Sequence, residues 1–167
     1  VLICDDCSTD SSLEIVNKYK NLLNINLLKN YKNMGLIFTL NKLINSSSAD
    51  VLMRIDPDDY ISPSRTQDII NAFENNKKLE IFFSDYQLID VKKNKLKNKQ
   101  LFQCAKQDSL QFVACFNSPI PHACTSYKSS FIKKYSYNKK YIAAEDFALW
   151  SSILFSQSVN IFYNNKK

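Results

Sequence analysis

Val51-Leu52-Met53-Arg54-Ile55-Asp56-Pro57-Asp58-Asp59 is the stretch on which the fold turns: an apolar run stops abruptly at a cluster of carboxylates. A short apolar run ended by an acidic, proline-bearing turn reads as a buried strand followed by a loop. Pro63 and Ser64 then start a helix that carries Ile69, Ile70 and Phe73, and Leu79 to Phe83 is a further apolar strand. The same grammar holds upstream. Val1 to Cys4 is strand-like and ends at Asp5-Asp6, while Ser8-Thr9-Asp10-Ser11 offers caps for a periodic run through Leu13, Ile15, Val16, Tyr19 and Leu22. Asn24 to Leu28 is again strand-like, and Gly35 opens a helix through Ile37, Leu40, Leu43 and Ile44 that ends in Asn45-Ser46-Ser47-Ser48. Strands alternating with helices at this spacing predict an α/β fold, a mostly parallel central sheet with helices on both faces. Ligands of such sheets bind beyond the carboxyl ends of the strands, which is where both acidic clusters fall.

Past residue 85 the alternation weakens. The pattern predicts a lysine-rich connection, a helix near Ser109 to Phe116, a strand near Cys124 to Tyr127, a short helix after Ser129 and a stronger helix from Ala144 to Phe155. We read this half as an elaboration of one domain. With 167 residues, 45% of them apolar and 23% charged, the chain has material for one packed domain and is too hydrophobic for a disordered segment.

The net charge of +6 is carried almost wholly by lysine, since Arg54 and Arg65 are the only arginines. The densest basic run, Lys92 to Lys99, has neither the arginine forks nor the interleaved aromatics of a nucleic-acid reader, so no nucleic-acid partner is expected. Lysine excess does suit peripheral contact with an anionic membrane. With no run of about 20 apolar residues and no leader, the expected place is the cytoplasm, or the inner face of the membrane. Five scattered cysteines form no disulfide framework; Cys4 reads as a strand residue and Cys7 as part of the turn after it.

Asp56, Asp58 and Asp59 at a strand end form an oxygen-rich site suited to Mn²⁺ or Mg²⁺ shared with substrate phosphates. An acidic turn with no ligand uses the same residue types. A second reading stays open at this level: Asp5-Asp6 and Asp56, about fifty residues apart, also resemble the acidic pair and phospho-acceptor of receiver signalling domains. Against it, the segment after Asp56 lacks the expected Met-Pro and Gly, and residues 110–155 would have no task.

Taken in order, the segments resemble family 2 glycosyltransferases of the GT-A fold. Val1 to Asp10 resembles that family's strand and Asp-Asp-Gly-Ser-x-Asp turn; Asn33-Met34-Gly35 with Asn41 resembles its Asn-x-Gly and helical Asn. Asp56-Pro57-Asp58-Asp59 with Pro63 and Arg65 resembles the Asp-x-Asp-Asp segment. Pro121-His122-Ala123-Cys124 resembles the stretch before the acceptor site, and Glu145-Asp146-Phe147-Ala148-Leu149-Trp150 resembles the Glu-Asp-x-x-Leu-Trp helix. The resemblance implies one catalytic domain over 1–167, with a nucleotide-binding half (1–85) and an acceptor-side half (86–167), its first strand missing ahead of Val1. It implies an inverting, metal-dependent transferase of hexosyl type, moving a sugar from a nucleotide-diphosphate donor to a glycan or lipid-linked acceptor in bacterial surface glycan synthesis. A degenerate domain that binds sugar nucleotide without catalysis is the other outcome it allows.

By position, Asp6 would bond the nucleotide base with Asp5 beside it. Asp56 would serve nucleotide and metal, Asp58 the metal, and Asp146 would be the base, with Glu145 and His122 on the acceptor side. Trp150, four residues past Asp146, reads as core. Cys7 stands where the family has glycine, so a turn that needs positive φ would be made by a residue with a Cβ.

Overall fold

The computed structural model describes residues 1–90, 92, 94–96 and 106–165; Cys104 and much of the lysine run lie outside the described residues. Among the described residues, six strands and six helices alternate through most of the sequence. In order they are β1 (Leu2–Asp5), α1 (Ser12–Tyr19), β2 (Asn26–Lys29), α2 (Leu36–Ser46), β3 (Val51–Met53), α3 (Arg65–Asn75) and β4 (Ile81–Ser84). Then come α4 (Gln107–Ala114), a 3-10 turn (His122–Cys124), β5 (Thr125–Lys128), α5 (Ser129–Ile132), α6 (Glu145–Ser156) and β6 (Ile161–Asn164).

Two sheets result. β1 and β2 pair in parallel, Asp5 opposite Lys29, and the second sheet has the order β3-β5-β4-β6. There β5 runs antiparallel to both neighbours while β4 and β6 are parallel, so three of its four strands point one way. The expectation of a mostly parallel sheet therefore holds for strand direction, but β5 is inserted against the grain. Nor does the sequence reading include β6, a short strand after α6 that the helical pattern overshadows.

Alternate side chains of a strand point to opposite faces, and the two faces here carry different helices. Ile81 and Phe83 join a cluster with Ile37 of α2, Leu110 of α4, Ile132 of α5 and Leu149, Trp150 and Ile153 of α6. Phe82, between them, packs with Ile69 of α3 and Leu79, backed by Val51 and Met53. Helices on both faces are thus observed. Burial of these side chains drives the assembly at about 25 cal/mol per Å² of apolar surface. Trp150, at 0% exposure, is core and offers no sugar platform.

Candidate active site

At the end of β1, the turn expected to resist a Cβ is made by one: Cys7 takes φ 65°. Asp5 Oδ1 accepts from the Ser8 N–H at 3.2 Å, closing the turn over that residue. The Asp6 carboxylate crosses to the start of α2. Its Oδ1 accepts from Met34 N–H (2.8 Å) and Asn30 Nδ2 (2.7 Å), and its Oδ2 from Gly35 N–H (2.8 Å). An anion at a helix start meets amides with no intrahelical partner, and Gly35, at φ 85°, gives α2 no side-chain cap of its own. Burial alone would raise the Asp6 pKa, but these bonds hold it below the ordinary carboxylate value. Asn30, which the sequence reading passed over, is buried and saturated: it also donates to Thr39 Oγ1 and accepts from Lys42 Nζ.

At the end of β3, the backbone N–H of Arg54 donates to Thr125 O, extending the antiparallel ladder by one rung. That register sets Arg54 beside the 3-10 turn that precedes β5. Arg54 Nη2 donates to Asp56 Oδ1 at 2.7 Å, with the side chains 9% and 36% exposed, and Nη1 lies 3.1 Å from His122 Nε2. Arginine only donates, so Nε2 is the unprotonated nitrogen; the Tyr137 hydroxyl donates to it as well, at 2.6 Å. Burial first, and the Arg54 cation second, push the His122 pKa down to about 3, against the opposing charge of Asp146. The imidazole is therefore neutral at physiological pH. Arg65, at the start of α3, donates from Nη2 to Arg54 O and Ala123 O, fastening β3 to the same turn.

On α6, Asp146 lies in the first turn after Ala143, whose φ is 62°. Its Oδ2 accepts from the Ser118 hydroxyl at 3.1 Å and its Oδ1 from the Phe147 N–H. Ser118 is a second residue that no motif announced. Glu145 instead lines an open cleft of about 490 Å³ with Gly35, Leu36, Phe38, Lys139 and Ile142. The site residues thus form two groups. Asp5 and Asp6 sit with Asn30 and Gly35, whereas Asp56 and His122 meet at Arg54 and the charge of Asp146 acts on His122. Helix α2 serves both groups, through Thr39 on the first and Asn41 on the second, where Asn41 Nδ2 donates to Tyr137 O and its Oδ1 accepts the Tyr137 N–H.

Among the described residues, no three His, Cys, Asp or Glu side chains are placed to hold a metal by themselves. Asp58 and Asp59 are exposed, and burial together with the charges of Asp56 and Asp58 raises the Asp59 pKa. Such crowding of hard oxygen donors fits a divalent cation that takes its remaining ligands from a diphosphate, and does not fit a closed protein cage.

With this geometry in hand, comparison with known proteins decides the family. The sequence model of glycosyl transferase family 2 matches residues 1–140. The chain belongs to glycosyl transferase family 2. An uncharacterized glycosyltransferase of Methanocaldococcus jannaschii is 26% identical to this family 2 chain over 153 residues, which are 90% of the chain and 52% of that protein. The amylovoran biosynthesis glycosyltransferase AmsE of Erwinia amylovora is 24% identical over 154 residues, 92% of the chain and 57% of AmsE. The chain thus spans about half the length of these relatives. A crystal structure of Staphylococcus aureus TarS with UDP superposes on 100% of the chain and 48% of that protein, with a TM-score of 0.77 and 22% identity. A Pyrobaculum calidifontis mannosyltransferase bound to GDP-Man and Mn²⁺ superposes on 99% of the chain and 45% of that protein, with a TM-score of 0.67 and 11% identity. The fold of this family 2 chain is GT-A. The antiparallel β5 and the family match displace the receiver reading, whose sheet is parallel throughout.

Proposed function

We propose that the protein is an inverting glycosyltransferase that moves a sugar from a nucleotide-diphosphate donor to the hydroxyl of a glycan or lipid-linked acceptor, in the synthesis of a bacterial surface glycan. The observation that carries this reading is that Asp56 bonds Arg54, Arg54 bonds His122 and the charge of Asp146 acts on that histidine, which supports a donor-side acid and an acceptor-side acid working in one part of the site.

Asp146, steadied by Ser118, takes the proton from the acceptor hydroxyl as that oxygen attacks the anomeric carbon from the face opposite the diphosphate. The new glycosidic bond forms as the bond to the diphosphate oxygen breaks, and the anomeric configuration inverts. Asp58, with Asp56 beside it, would hold Mn²⁺ or Mg²⁺, which supplies positive charge opposite the departing diphosphate. Asp5 and Asp6 shape the base pocket, and Glu145 borders the acceptor. UDP bound to TarS and GDP-Man with Mn²⁺ bound to the mannosyltransferase support a nucleotide donor, and the amylovoran and ribitol-phosphate polymer names of AmsE and TarS support a surface glycan. Among the described residues no helix is long and apolar enough to cross a membrane; the reading has the protein work at the cytoplasmic membrane face through peripheral contact.

Calorimetric titration with UDP, GDP and dTDP, with and without Mn²⁺, tests the donor site. One nucleotide should bind in a metal-dependent way, and Asp58→Ala should abolish that dependence. Asp146→Asn should keep nucleotide binding and lower turnover by about 10²-fold or more. Normal turnover in Asp146→Asn would remove that residue from the mechanism, and absence of any nucleotide binding would overturn the reading.

A further inference from the structure

The geometry points to Arg54 as a positioning residue that orients the metal-loop acid Asp56 from the acceptor half of the molecule, through a chain of bonds running Asp56–Arg54–His122–Tyr137–Asn41. This rests on the proposed function and deepens it.

Each link leaves little freedom to the next. Asn41 takes both backbone groups of Tyr137, at 2.9 and 2.8 Å, and so fixes that residue to α2. Tyr137, 3% exposed, places its hydroxyl 2.6 Å from His122 Nε2. The His122 ring packs edge-on against Trp150, with ring centres 5.9 Å apart, which fixes its plane. An imidazole so held is an acceptor at one defined point, and Arg54 Nη1 meets it at 3.1 Å. Because the guanidinium is planar and rigid, fixing one arm fixes the other, and the other arm holds Asp56 Oδ1 at 2.7 Å. Asp56 Oδ2 carries no bond among the described residues. One carboxylate oxygen is therefore clamped while the other is left for a cation, and the clamp passes through His122 and Tyr137 of the acceptor-side half before it ends on α2.

Lysine at position 54 would keep the charge but lose the fork, because a single ammonium on a flexible stem cannot hold both partners in a fixed plane. A bond to a charged group of this kind is worth about a tenfold effect or more when removed. The experiment is calorimetry on the full protein with UDP, GDP and dTDP, following the Mn²⁺ concentration that half-saturates binding of whichever nucleotide the wild type takes. Arg54→Lys should raise that concentration about tenfold, a larger factor than any loss of metal-free nucleotide affinity. Tyr137→Phe, which removes one hydroxyl, should shift it in the same direction by a smaller factor. The double variant should fall short of the product of the two single effects.

A merely structural role would weaken metal-free and metal-dependent binding by the same factor, and that result would overturn the inference. Wild-type half-saturation in both variants would overturn it too. Should Arg54→Lys fail to fold, Tyr137→Phe carries the decision, its unchanged half-saturation counting against the chain. If wild type shows no metal-dependent nucleotide binding, the proposed function falls and this inference with it; metal-dependent wild-type binding with unmoved variants sinks the inference alone.

Discussion

Cys7 and Ala143 both sit in the left-handed region, at φ 65° and 62°, in the turns that lead from β1 and into α6. A side chain there costs about 1–2 kcal/mol, and glycine gives back part of that through its larger unfolded-state entropy. Cys7→Gly should raise stability by about 0.5–1 kcal/mol, seen as a higher urea midpoint; a lower midpoint would show that Cys7 makes contacts worth more than its strain. His122 gives a cleaner test, since it is the only histidine in the chain. Its folded pKa of about 3 lies below the unfolded value of about 6.5, so the unfolded state binds the proton more readily. Stability from this group is complete above about pH 6.5 and falls as pH drops toward 3. The imidazole resonances should stay flat between pH 5 and 8 in NMR spectra; a midpoint near 6 would mean that the part-buried contact with Arg54 is not formed.

Helix α2 shows how an element can be shaped by a residue from another strand. Its first turn has no side-chain cap of its own, and the amides at Met34 and Gly35 are met by Asp6 at the end of β1. Asp6→Asn should destabilise the protein by about 1.5–3 kcal/mol, because an amide nitrogen would face one of those donors. The acid limb of the stability profile should respond as well. A carboxylate held below its ordinary value contributes stability above about pH 4 that is lost as pH falls through the folded value, and Asp6→Asn should flatten that limb. An unchanged limb would assign the acid dependence to other carboxylates. The motif residues Asp5, Asp6, Asn33 and Gly35 were legible in the sequence, yet Asn30 was not: an asparagine after a strand is common, and only the parallel pairing of β1 with β2 brings it to Asp6.

At the scale of the whole molecule, α6 carries a candidate catalytic acid on its first turn and the centre of the core four residues later. Trp150→Ala should cost about 3–5 kcal/mol, a large share of the 5–15 kcal/mol typical of a domain, and urea unfolding would measure it. A loss below about 1 kcal/mol would mean that the core closes around the gap. The sequence by itself determined the alternation of strands and helices, the apolar faces and the placing of acids at strand ends, because each depends on neighbours a few residues apart. Only the tertiary structure decided that β5 runs antiparallel between β3 and β4, and with it that His122 meets Arg54 across 68 positions of chain. Strand order and direction arise from long-range packing, in which a four-residue strand such as Thr125–Lys128 carries the same local pattern whichever way it points.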